Sequence, residues 1–138
     1  MISGEVYCWG YNYAGQLGDG TRAEPGTPGT SPTRVLGNQR FKAVSLGDQH
    51  TCALASDGAA YCWGENRVGA LGDGTTEIRT VPTRVRGNLT FVQISAGSSH
   101  TCGRTDYGVI YCWGWNVFGA LGDGTTRRRL EPTRVLAR

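Results

Sequence analysis

Charge is scarce in this chain, and so are the residues that usually carry catalysis. Asp, Glu, Lys and Arg make up only 18% of 138 residues, against 22 glycines. That balance argues against long helices and for short strands joined by tight turns. No apolar run approaches the roughly 20 residues of a membrane-crossing helix. The first residues, MISGEVYCWG, lack the basic start and apolar stretch of a secretory leader, so no signal peptide is expected in this sequence. There are two histidines, and no single Ser, Cys or carboxylate pair stands in a unique setting suited to nucleophilic or acid–base work. Neither an enzyme activity nor a cofactor is therefore expected. The formal net charge of +3 permits an acidic partner without demanding nucleic acid.

What the chain has instead is repetition. YCWGYNYAGQLGDGT begins at Tyr7, YCWGENRVGALGDGT at Tyr61 and YCWGWNVFGALGDGT at Tyr111. PTRV opens at Pro32, Pro82 and Pro132, two steps of 50. Phe41 and Phe91, Gly47 and Gly97, His50 and His100, and Cys52 and Cys102 keep the same step. Cys8 and Cys62 are 54 apart, and the four additional residues fall in RAEPGTPGTS, Arg22 to Ser31. Rich in Pro, Gly and Thr, that stretch reads as a surface loop. The spacing divides a single repeat domain, 1–138, into a half unit (4–35) and two full units (41–85 and 91–135).

Each unit reads as short strands. FKAVSLG and FVQISAG alternate as half-buried strands do, HTCAL and YCWG are two more, and PTRV is a fourth whose proline favours an edge. Ser56–Gly58 and Asp106–Gly108 are hairpin turns. Four strands in 40 to 50 residues is the period of a β-propeller blade. Blades stack face on face, which accounts for YCW being apolar on successive residues. The fold expected is all-β: propeller blades, each a four-stranded antiparallel sheet, in an incomplete ring of about two and a half to three blades. A β-solenoid or an irregular sandwich is the competing reading.

The fixed points GxxHTCAL, DGxxYCWGxNxxGxLGDGT and PTRV resemble the regulator of chromosome condensation repeat, and the cysteines resemble its bacterial, cysteine-bearing branch. The resemblance covers nearly the whole chain. It implies a β-propeller, usually of seven blades, in a family that includes a nucleotide exchange factor for the Ran GTPase, ubiquitin-ligase modules and a bacterial inhibitor of β-lactamases. The repeat speaks to fold more than to function. Nothing here matches the exchange factor's GTPase-contacting insertions, so that activity is not carried over. Two and a half units cannot close a ring alone. Raw sheet edges or uncovered blade faces are expected at both ends, where they invite association.

Five cysteines form two pairs and a single. Across a three-residue loop at Ser56–Gly58, Cys52 faces Cys62, and the same counting sets Cys102 opposite Cys112. Directly opposed, non-hydrogen-bonded positions lie close enough for a disulfide. Two such disulfides imply an oxidising, extracytoplasmic or secreted setting. Free buried thiols are one alternative. Another is a zinc site from His50, Cys52 and Cys62, repeated by His100, Cys102 and Cys112, although the spacing matches no zinc signature and no metal is expected. Cys8 has no strand beside it to supply a mate, which leaves it unpaired or intermolecular.

Asp19, Asp73 and Asp123 sit in Gly-Asp-Gly as turn residues, too few oxygens for calcium. Trp9, Trp63 and Trp113 read as blade packing, and Asn12, Asn66 and Asn116 as turn residues bonding backbone. If the copies share a frame, function lies where they differ. The first such place follows Trp-Gly: Tyr11 and Tyr13, Glu65 and Arg67, then Trp115, Val117 and Phe118. The second precedes PTRV: 22–31, 76–81 and 126–131, with the basic run Arg127, Arg128 and Arg129. Aromatic residues at variable loop positions are common anchors of a binding patch. Covering a neighbouring blade is the competing role for Trp115 and Phe118. A non-catalytic protein-binding or scaffold module is expected, completing its ring as a homo-oligomer. The alternatives are a fragment of a seven-bladed propeller that binds a protein through rim loops and, more remotely, nucleic-acid binding through the arginines.

Overall fold

The computed structural model describes residues 3–136. They form ten strands and no helix: β1 (Tyr7–Gly10), β2 (Gly29–Arg34), β3 (Phe41–Leu46), β4 (His50–Ala55), β5 (Ala60–Gly64), β6 (Arg79–Arg84), β7 (Gln93–Ala96), β8 (His100–Arg104), β9 (Ile110–Gly114) and β10 (Arg129–Arg134). Strands β3 to β6 make one four-stranded sheet in chain order, β7 to β10 a second, and β1 with β2 a two-stranded half sheet. All neighbours are antiparallel, as short connections require.

The hairpin turns set the register locally. At Ser56–Gly58 the Gly58 N–H donates to the Ala55 carbonyl at 2.9 Å and the Ala59 N–H to Asp57 Oδ1 at 3.0 Å. That closure pairs Cys52 with Cys62 and His50 with Gly64. The outer strands β6 and β10 begin three residues before their prolines, so part of each segment read as a loop ahead of PTRV is strand. Proline fits there because only one edge of an outermost strand needs its N–H groups.

The sheets stack face on face. Phe41 and Trp63 of the middle sheet pack with Val6, Cys8 and Val35 of the half sheet. Cys52, Leu54, Ala60, Cys62 and Val85, on the opposite face of the middle sheet, pack with Phe91, Ile94 and Trp113 of the last. Strand alternation points Cys62 one way and Trp63 the other, and both are fully buried because each face has a neighbour. Near one end the sheets converge: the Ala96 N–H of β7 donates to Ser45 Oγ of β3 at 2.9 Å, and Ser98 Oγ to Asp48 Oδ2 at 2.8 Å. From β3 and β7 the sheets fan outward to β6 and β10. This is a partial propeller.

Trp9 departs from the packing role read for all three tryptophans. Trp63 and Trp113 are 0% exposed, whereas Trp9 is 62% exposed. No sheet among the described residues lies on its side of β1. At the other end Phe118 is 84% and Leu136 61% exposed for the same reason.

Candidate functional site

The polar residues common to all three units build the frame. Asn66 is fully buried in the loop after β5. Its amide nitrogen donates to Asp73 Oδ1 (3.1 Å) and to the carbonyls of Thr75 (3.1 Å) and Glu77 (3.0 Å), while its oxygen accepts the Leu71 N–H (3.0 Å). The side chain thus ties together backbone up to 11 residues away, well beyond a local turn. Asn116 repeats these bonds with Asp123, Thr125, Arg127 and Leu121. Asp73 and Asp123 each accept the N–H and hydroxyl of the Thr two residues on, an Asx-type turn.

Burial would raise the Asp123 carboxyl, but hydrogen bonds from Thr125, Arg129 and Asn116 outweigh it and hold the group down at about 2. Asp73 is lowered as well, burial again being overcome by bonds from Arg79, Thr75 and Asn66.

Arginine completes this frame and divides the basic run. Arg129 Nε donates to Asp123 Oδ2 at 2.6 Å, matching Arg79 to Asp73 at 2.8 Å, so Arg129 turns inward. Arg128 reaches back to the Arg67 carbonyl at 2.9 Å, and Arg127 gives its own carbonyl to Asn116 while its side chain stays exposed. The three do not form one free cationic patch. The first unit has Gly29 where Arg79 and Arg129 stand, so Asp19 lacks this pairing.

The variable residues after Trp-Gly occupy equivalent loops at one rim of the fan. Tyr11 and Tyr13 lie 6.3 Å apart between ring centroids, with the Arg22 guanidinium 5.4 Å from the Tyr13 ring. Arg67 pairs with Glu65 at 3.7 Å and its side chain is 75% exposed. Trp115 and Phe118 meet edge to face at 5.2 Å. Val117 is also exposed. The rim therefore presents aromatic, charged and aromatic clusters in sequence.

Cys52–Cys62 and Cys102–Cys112 are disulfides, each with Cα atoms 4.1 Å apart. Oxidised sulfurs leave no thiolate for a metal. Cys8 is free and half-buried, and burial followed by the nearby Asp19 raises its thiol. Beside it, along the free edge of β1, opens an apolar groove of about 370 Å³ lined by Val6, Trp9, Tyr11, Leu17, Val44 and Leu46 among others.

His50 joins neighbouring sheets. The Thr101 hydroxyl donates to the Ala70 carbonyl at 2.8 Å, so its oxygen accepts from His50 Nε2–H at 2.9 Å. Burial, then the adjacent His100, push His50 down to about 4, against the opposing pull of Asp48. Sequence reading found these positions through their repetition. It missed that Thr101 and the Ala70 carbonyl complete the contact of His50, because Thr101 lies in a different unit.

Four-stranded sheets that converge on their first strands, each held to the next by a glycine-rich loop, define a β-propeller repeat protein. The sequence description of the Regulator of chromosome condensation (RCC1) repeat matches residues 3–54, 57–103 and 107–137. The chain belongs to the RCC1 repeat family. It is 40% identical over 73 residues to the ultraviolet-B receptor UVR8 of Arabidopsis thaliana, covering 53% of this chain and 16% of the receptor. Over 71 residues it is 38% identical to the RCC2 homolog of Danio rerio, covering 51% and 14%. Among solved structures, Prp20p of Saccharomyces cerevisiae superposes with a TM-score of 0.86 at 25% identity, covering 96% of this chain and 34% of Prp20p. Human WBSCR16, at 20% identity and a TM-score of 0.56, shares the fold over 99% of this chain and 50% of its own. The chain thus spans a minor part of these sequence relatives and about a third of Prp20p.

Proposed function

We propose that this chain is a non-catalytic protein-binding or scaffold module that completes its ring of sheets by self-association. One observation carries the reading. The repeated Asn, Asp, Thr, His and paired Arg side chains bond within or between sheets, while residues that differ between copies, Tyr11, Arg67 and Phe118, stand exposed on one rim beside open apolar sheet faces. Chemistry that is repeated and satisfied belongs to a frame, and variable exposed aromatics belong to an interface. The two disulfides support function in an oxidising compartment. No helix among the described residues is long and apolar enough to cross a membrane.

A second reading is favoured by the partial coverage of relatives: these repeats form part of a larger propeller that binds a protein through its rim. Prp20p has been solved with its binding to Gsp1p and histones characterised, and yeast RCC1 (Prp20) has been solved bound to Kap60. Nucleic-acid binding is the weakest reading, since Arg129 is engaged by Asp123 and the net charge is only +3.

Light scattering over a concentration series separates the readings. A single-sized oligomer that grows in with concentration supports self-association, and a monomer at every concentration removes it. DNA binding that weakens steeply with salt would favour the nucleic-acid reading instead.

A further inference from the structure

The chain contains one inter-sheet joint twice. In the first copy the Gly18 turn lies on the indole of Trp63, so close that an added Cβ would stand 2.6 Å from Nε1. Two residues on, the Gly20 N–H donates to the Thr80 carbonyl at 2.9 Å. In the second copy the Gly72 turn lies on Trp113 with the same 2.6 Å approach, and the Gly74 N–H donates to the Leu130 carbonyl at 2.8 Å. Each joint thus has a tail, a glycine turn after the third strand, and a head, a Trp and a main-chain carbonyl on the next sheet.

One tail and one head have no mate among the described residues. Gly122 and Gly124 repeat the tail, with positive φ of 66° and 79° like their counterparts, yet among the described residues an added Cβ there would meet Val135 and Leu136 of their own unit instead of a tryptophan. Trp9, 62% exposed, repeats Trp63 and Trp113, and Thr30 on β2 repeats Thr80 and Leu130. Neighbouring positions agree. Ile110 on the tail face is 43% exposed where its counterpart Ala60 is 2% exposed, and Tyr7 on the head face is 49% exposed.

Size matches too. Phe118 takes the place of Ala14 and Val68 in the loop. Ala14 is fully buried, and Val68 lines a smaller cavity of about 180 Å³ with Asp48, Gln49, Ser98 and Ser99. A larger apolar groove, about 370 Å³, lies along the free edge of β1, between that strand and β3 and β4, with Trp9 and Tyr11 at its border.

We infer that two copies of this chain join head to tail by repeating their own internal joint. The Gly122 turn of one copy covers Trp9 of the second, its Gly124 N–H donates to the Thr30 carbonyl of the second, and its Phe118 fills the second copy's groove. The inference rests on the self-association reading and adds the contact, its polarity and its residues. Such a joint is heterologous: it propagates to a ring where the rotation closes and to a filament where it does not.

The test uses the full chain and two variants, Trp9→Ala and Phe118→Ser, each altering an exposed side chain. Circular dichroism and thermal unfolding first show both variants folded like the parent. Sedimentation over a concentration series is then expected to show association weakened roughly tenfold or more in each variant alone. An equimolar mixture is expected to regain a dimer, because the first variant keeps a sound tail and the second a sound head. Association of the parent that neither variant weakens, or weakened variants that the mixture does not rescue, overturns the joint and leaves self-association standing. A parent that is monomeric throughout overturns both.

Discussion

The indole N–H of Trp63 donates to the Gln16 carbonyl at 2.9 Å, across 47 residues of sequence. The same oxygen accepts the Thr51 hydroxyl at 2.9 Å. One loop carbonyl therefore holds two strands of the following sheet. Trp63→Phe keeps most of the ring and removes the N–H, so it is expected to cost about 1–2 kcal/mol. Trp63→Ala also opens a cavity between sheets and is expected to cost about 3–5 kcal/mol. Urea unfolding measures both, and equal losses would mean that the hydrogen bond, rather than the packing, dominates.

Glycine is required under the indole. Gly72 has φ of 69°, and a Cβ there would meet Trp113 Nε1 at 2.6 Å. Gly72→Ala combines backbone strain with a clash against a side chain that is fully buried. A loss of about 2–4 kcal/mol is expected in chemical denaturation. Gly26, which also has positive φ but nothing within 4 Å of an added Cβ, serves as the control with strain alone.

Asn66 closes its loop from the inside. Asn66→Ala strands the Leu71 N–H and the Thr75 and Glu77 carbonyls, and is expected to lower stability by about 2–4 kcal/mol. Asn12 makes fewer such bonds, to Leu17 and Thr21. Asn12→Ala is therefore expected to cost less. Hydrogen exchange at the Leu71 amide reports the loop directly, and unchanged protection in Asn66→Ala would refute the role.

Each disulfide closes a short segment, with a sequence separation of 10. Chain-entropy reasoning gives about 2–3 kcal/mol for a loop of that length. Reduction under native conditions is expected to lower the urea midpoint, and Cys52→Ala with Cys62→Ala to reproduce about half of the shift. Mass spectrometry without reductant should show Cys8 as the one alkylatable thiol.

His50 on one side and the Asp73 and Asp123 carboxylates on the other shape the acid limb of stability, in separate windows. His50 is held at about 4, below the ordinary 6.5, by burial first and His100 second. Between those values the unfolded chain binds more protons, so stability is complete above about 6.5 and falls as pH drops toward 4. The total is on the order of 3 kcal/mol. Asp123 is held at about 2 against an ordinary 3.8, so its contribution is present above 3.8 and is lost as pH falls toward 2. His50→Gln is expected to flatten the upper window alone, and Asp123→Asn the lower. A single limb unaffected by His50→Gln would show that the buried imidazole does not set the upper window.

What could be read along the chain was what short segments decide. A three-residue turn fixes which residues face each other, so Cys52 opposite Cys62 follows from counting. Repetition at fixed spacing announced stacked four-stranded sheets, because identical units with apolar residues on both faces must cover one another. The frame role of Arg129 was hidden because Arg127, Arg128 and Arg129 look alike in a string, and only the loop's closure around Asn116 brings one of them onto Asp123.

Sequence by itself therefore determined the blade: its strands, its hairpin register, its cysteine pairs and its buried tryptophan slot. Tertiary structure alone decided which slots are covered. Trp9 and Trp63 occupy the same place in the same motif, and one is 62% exposed while the other is 0% exposed. Register is a local property of a turn, whereas burial belongs to whatever sheet lies across the face.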